Sequence, residues 1–164
     1  MAKSAENKTN VMRILEQKKI AYTAHTYPHG EGVAVDGVTV AQSMGQDPGR
    51  VFKTLVTQGA SNTYYVFDVP VAATLDLKKA AKAVGEKSVA MLPAKDLLPL
   101  TGYVHGGCSP IGMKKQFRTV LHASALEYET IVVSGGRIGA QVELSPADLM
   151  ALVRGAAADV IVEA

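Results

Sequence analysis

Apolar positions along this chain recur with two periods, near 3.6 and near 2, and the switches between them lay out most of the elements. Val11, Ile14 and Leu15, set among Lys8, Arg13, Glu16 and Lys18, form one apolar stripe and predict a helix over about 8–19. Tyr22 to Tyr27 reads as a strand ended by Pro28, and the Gly- and Asp-rich stretch His29 to Gly37 as a loop. A short helix over about 38–45 follows, stopped by Gly45 and the Asp47-Pro48 turn. Val51 to Thr57 and Thr63 to Val69 flank Gly59-Ala60-Ser61-Asn62 and predict a hairpin. Asp76 is a credible N-cap for a helix carrying Leu77, Ala80, Ala81 and Val84, with Gly85 where a left-handed cap is wanted. Ser145-Pro146-Ala147-Asp148 opens a last helix, running to about Arg154 or Gly155. Between these, Val89–Leu92, Gly102–His105, Thr119–Leu121, Thr130–Ser134, Gln141–Leu144 and Val160–Val162 are strand candidates, with Gly135 to Gly139 as a hairpin turn.

Strands joined by tight turns, with helices interspersed irregularly, predict an α+β fold: one domain over residues 1–164, a mixed and curved β-sheet, partly barrel-like, flanked by helices. Composition agrees. With 164 residues, 48% of them hydrophobic, the chain can bury one sizeable core, and 15 glycines with 7 prolines is ordinary globular usage. The net charge of +2 permits an anionic partner without the footprint of a dedicated DNA binder. Cys108 is the one cysteine, the first thirty residues hold no apolar core of a leader, and Asp68 and Asp159 interrupt the apolar runs. A cytoplasmic protein with no membrane partner is the expectation.

Two places invite chemistry. Gly106-Gly107-Cys108-Ser109-Pro110-Ile111-Gly112 follows a strand candidate and either bends the chain or exposes N–H groups to an anion. Lys53 sits by alternation on the face of Val51 and Leu55, where an ammonium either snorkels to water or is held in a cleft to bind phosphate or polarise a carbonyl. Cys108 is either a small buried side chain or a thiolate nucleophile with His105 near it in sequence. No nucleotide-binding glycine motif is present, and His25, His29, His105, His122 and Cys108 lack paired metal-ligand spacing, so neither cofactor nor metal is expected. Lys78, Lys79 and Lys82 on an outer helix face, and Lys114, Lys115 and Arg118 after the glycine loop, are solvated surface or a track for phosphates.

Phe52-Lys53-Thr54-Leu55, Leu77-Lys78-Lys79-Ala80-Ala81-Lys82, Thr101 to Lys115 and Val133-Ser134-Gly135-Gly136-Arg137 together resemble the YbaK/EbsC family of aminoacyl-tRNA deacylases, which clear Cys-tRNA(Pro). The resemblance runs from about Tyr22 to Ile161, four motifs in order. It implies an editing domain related to the insertion domain of bacterial prolyl-tRNA synthetases, with mischarged tRNA as substrate and prolyl-tRNA synthetase as partner. It further implies that Lys53 is catalytic and that Tyr27, Phe52, Thr54, Gly106, Gly107, Cys108, Ser109 and Pro110 bind the substrate. Lys78, Lys82, Lys114, Lys115 and Arg118 would then meet the tRNA. This sequence departs from the family in having Cys108 where an aliphatic residue is common and Gln141 where some relatives carry Asp.

An aminoacyl ester is already activated, so positioning it and stabilising its oxyanion suffices without a protein nucleophile. A cysteinyl group brings its own thiol, with a pKa of about 8.5, which could displace the tRNA oxygen; water assisted by the terminal ribose hydroxyl is the rival route. A deacylase tuned to Ala-tRNA(Pro), a hydrolase using Cys108, and a non-catalytic tRNA-binding module are the competing expectations.

Overall fold

The structure, a computed structural model, describes residues 8–30 and 33–163. Helix α1 (Asn10–Gln17) is capped by Thr9, whose hydroxyl accepts from Met12 N–H, and buries Val11, Met12 and Leu15. Strand β1 (Thr23–Thr26) follows, then helix α2 (Gly37–Ser43), capped by Asp36. The hairpin β2 (Phe52–Gly59) and β3 (Tyr64–Pro70) pairs Thr54 with Asp68 and Val56 with Val66. Helix α3 (Leu77–Val84) has both expected caps: Asp76 accepts from Lys78 and Lys79 N–H, and Gly85 is left-handed at φ 72°. Next come β4 (Val89–Met91), α4 (Ala94–Thr101), β5 (Arg118–His122), a 3₁₀ turn Ala123–Glu127, the hairpin β6 (Ile131–Ser134) and β7 (Ala140–Leu144), α5 (Pro146–Val153) and β8 (Ala156–Ala158).

The expected α+β fold with mixed pairing is present, distributed over two sheets of order β1-β7-β6 and β4-β2-β3-β5-β8. β3, β5 and β8 run parallel, the remaining neighbours antiparallel. The strands do not close into a barrel: the sheets touch where Val51 bridges Val132. Alternation divides the core. Phe52, Val56, Val66 and Leu121 face α1, α5 and the smaller sheet, whereas Tyr65, Phe67, Val69 and Val120 face α3.

Two sequence expectations shift. Gly102–His105 is no strand, because Gly102, at φ 87°, ends a helix that Pro99 hides from the sequence pattern. Residues 94–101 form that helix nevertheless: Leu97 and Leu100 pack on the core, and Thr101 Oγ1 donates to Leu97 C=O at 2.7 Å. The last strand is Ala156–Ala158 rather than Val160–Val162; tertiary pairing with β5 recruits three alanines of weak β-propensity. Val160 instead donates its N–H to His122 Nδ1, and Ile161 bridges Leu75.

Candidate active site

The site forms where β2 loses its outer neighbour. At its start the Val51–Val132 bridge and the bond from Val132 N–H to Arg50 C=O (3.0 Å) hold β6 against it. At its end β4 pairs with Thr57–Gly59, and Leu92 N–H donates to Val56 C=O (3.0 Å). Between these attachments no described strand lies along the outer edge at residues 53–55. Val71 N–H donates to Val51 C=O (2.8 Å), so the odd-numbered residues of β2 spend their peptide groups on β3. Thr54 therefore turns its own N–H and C=O toward the open edge. A cavity of about 540 Å³ lies there, and Phe52, Lys53, Thr54 and Leu55 all line it.

Lys53 and Thr54 reach this cavity from opposite faces of one strand. Lys53 shares its face with Leu55, Thr54 with Phe52 and Val56, and the cavity wraps around the edge between them. The Lys53 ammonium is half-buried and has no hydrogen bond or ion pair among the described residues; burial pulls it below the usual lysine range. Asp36, another lining residue, opposes that shift with its charge. Asp36 is held in place as the α2 cap, Oδ2 accepting from Thr39 N–H (3.1 Å) and Thr39 Oγ1 (3.3 Å).

The far wall comes from the glycine loop and from β7. Gly106 has φ 88°, and a Cβ there would sit 2.6 Å from the Ala34 methyl, so only glycine lets the loop close against residue 34. Cys108 lines the cavity but is buried, and its thiol is pushed up to about 12 by that burial and by the charge of Asp68. Asp68 is fully buried on the Thr54 face; its Oδ1 and Thr54 Oγ1 share a hydrogen bond of 2.6 Å, and burial lifts its carboxyl to about 7. Gln141, also lining, exchanges amide hydrogen bonds with Gln46 (3.0 and 3.4 Å), tying β7 to the turn after α2.

Of the residues expected to bind substrate, Tyr27, Phe52, Thr54, Gly106 and Cys108 line the same cavity as Lys53. Gly107, Ser109 and Pro110 do not: Gly107 N–H donates to Val104 C=O (3.0 Å), Ser109 Oγ accepts from Ile111 N–H (3.3 Å), and Pro110 is buried behind them. The loop thus offers fewer free amides than its glycines suggest. Asp36, His105, Ser134 and Gln141 line the cavity without having been expected there. The Asp36 cap signal was readable locally; the Gln46–Gln141 clasp spans 95 positions and was not.

The five basic positions have different local settings. Lys78 and Lys82 border a second hollow, about 420 Å³, together with Lys87. Lys114 Nζ donates to Pro99 C=O (3.3 Å), and the Arg118 guanidinium donates to Val84 and Ala83 C=O (3.2 and 3.5 Å) at the end of α3. Lys115 is exposed. Among the described residues no group of three His, Cys, Asp or Glu could hold a metal ion, and no helix is long and apolar enough to cross a membrane.

Comparison with known proteins adds four findings. The aminoacyl-tRNA editing domain family matches residues 34–152. A protein of Enterococcus faecalis (strain ATCC 700802 / V583), named as a candidate Cys-tRNA(Pro)/Cys-tRNA(Cys) deacylase, EbsC, is 46% identical over 158 residues, 96% of each chain. A solved structure described as a candidate trans-editing enzyme for prolyl tRNA synthetase is 26% identical, with a TM-score of 0.79 over 93% of this chain and 95% of its own. The hypothetical protein APE2540 shares the fold, with a TM-score of 0.84 at 21% identity over 94% of this chain and 100% of its own.

Proposed function

This chain belongs to the aminoacyl-tRNA editing domain family, and from that premise we propose that it is a hydrolase acting in trans to deacylate mischarged Cys-tRNA(Pro). The observation that carries the reading is the half-buried Lys53 ammonium, without a hydrogen bond or ion pair among the described residues, beside the open edge of β2 in a cavity that admits an aminoacyl group with room to spare. Lys53 holds and polarises the ester; the outward-turned Thr54 N–H is a donor for its oxyanion. Asp36 is the one carboxylate among the described lining residues, and it is the partner this cavity offers the α-ammonium of an aminoacyl group.

The protein supplies no nucleophile in this reading, since the Cys108 thiol stays neutral. The substrate thiol attacks its own carbonyl carbon, the carbon–sulfur bond forms as the bond to the tRNA oxygen breaks, and the thiol proton ends on that oxygen. Water then opens the resulting thiolactone to free cysteine. Prolyl-tRNA synthetase supplies the choice of tRNA, because a domain of net charge only +2 grips a tRNA body weakly. Lys53→Ala tests the site: deacylation of Cys-tRNA(Pro) is expected to fall by about 10²–10³, the cost of removing one oxyanion donor, with the circular dichroism spectrum unchanged. A folded variant that keeps the parental rate overturns the assignment.

A further inference from the structure

Asp68, buried behind the cavity wall, has no part in the deacylation scheme. It interrupts an apolar strand on the core side, opposite Thr54, and is wholly inaccessible to solvent. Its Oδ1 lies 2.6 Å from Thr54 Oγ1, while Oδ2 has no hydrogen-bond partner among the described residues. A carboxylate with a single hydrogen bond in an apolar core is expensive; a neutral carboxyl in the same place needs only to give away its proton and leave a carbonyl-like oxygen behind.

Among the described residues the surroundings supply no counter-charge. β2 presents Thr54, β5 presents Leu121 at the paired position, and the 106–112 loop presents Cys108, whose thiol a charged Asp68 would push further from ionisation. Lys53 leaves β2 on the other face. Thr54 is the only described side chain hydrogen-bonded to the carboxyl, and Thr54 lines the cavity.

We infer that Asp68 is a positioning residue that works as a neutral acid: its Oδ1–H donates to Thr54 Oγ1, which frees the Thr54 hydroxyl to donate its own proton into the cavity it lines, toward the acyl oxygen. Ionising Asp68 reverses the pair. Thr54 O–H then turns back onto the carboxylate and the cavity loses a donor, although no atom other than hydrogen has moved. Burial raises the carboxyl to about 7, which places that reversal within the working range of pH. The activity readout rests on the deacylase reading; the protonation readout does not.

Asp68→Asn mimics the neutral acid, its amide donating permanently to Thr54. The measurement is kcat/KM on Cys-tRNA(Pro) for both proteins from pH 6 to pH 8, taken as a ratio so that titrations of Lys53 and of the substrate cancel. One unit above its pKa a carboxyl is about one-tenth neutral, so the wild-type to variant ratio is expected to fall about tenfold across this range. Thr54→Val removes the relay, and in that background the Asp68→Asn change is expected to leave the pH profile unaltered. The carboxyl itself is followed without substrate: infrared spectra of the wild-type protein are expected to show a protonated-carboxyl band that is present at pH 6, disappears by pH 8 and is missing from Asp68→Asn. A ratio that stays level, or an Asp68 already ionised at pH 6, overturns the inference. If neither protein hydrolyses the ester but the band titrates as expected, the deacylase reading fails and the protonation of Asp68 stands.

Discussion

Cys108 shows how little a residue's type says about its chemistry until its surroundings are known. A thiol beside a glycine-rich loop suggests a stabilised thiolate, yet burial among Tyr103, Ile111 and Met113 pushes this one up to about 12. Cys108→Ser is accordingly expected to keep most of the parental deacylation rate, measured by single-turnover assay; complete loss would make Cys108 the nucleophile. Asp68 carries a consequence for stability as well. Its carboxyl is raised from 3.8 to about 7, so the folded chain holds that proton after the unfolded chain has lost it. The resulting stabilisation is complete below about pH 4, declines as pH rises toward about 7, and amounts to about 4 kcal/mol at most. Asp68→Asn has no such dependence, so urea unfolding at pH 5 and pH 8 is expected to show the variant gaining on the wild type as pH rises. A gap independent of pH would mean that the carboxyl is not held neutral.

Single elements are governed by caps and by close approaches. Helix α3 has an Asp cap at one end and a left-handed glycine at the other, and both were readable because each is a local rule. Helix α4 was not readable: Pro93 offers no capping side chain, Pro99 interrupts the interior, and the helix persists through Leu97 and Leu100 packing on distant residues. The Gly106 loop answers to a neighbour 72 positions away in sequence, the methyl of Ala34. Gly106→Ala adds both a clash and a disfavoured positive φ, with a cost of about 1–3 kcal/mol. Thermal denaturation together with the deacylation rate checks this: activity is expected to fall more than stability, because the loop forms a cavity wall. A variant as active as wild type would show that the wall can move without consequence.

For the molecule as a whole, the decisive event is the parting of two sheets from one strand. β6 leaves β2 after Val51 and β4 joins it only at Thr57, and the gap between them creates the cavity. A pocket of this kind, lined by small apolar groups and a few polar ones, separates acyl groups that differ by one methyl or thiol by only about 1–3 kcal/mol. Assays with Cys-, Ser-, Ala- and Gly-tRNA(Pro) are therefore expected to rank the cysteinyl ester first, with the alanyl and glycyl esters cleaved weakly. Equal turnover of the seryl and cysteinyl esters would exclude attack by the substrate sulfur.

Periodicity, caps and turn residues act over a few positions, so the hairpins, both ends of α3 and of α5, and the α+β class could be read from residue order alone. The motif around Lys53 could be read as well, because its residues are contiguous. That Asp36, Ser134 and Gln141 join them in the cavity could not, since strand register and loop closure across most of the chain bring these together. Burial, which sets the charge state of Lys53, Cys108 and Asp68, is a property of that assembled neighbourhood and of no single stretch of sequence.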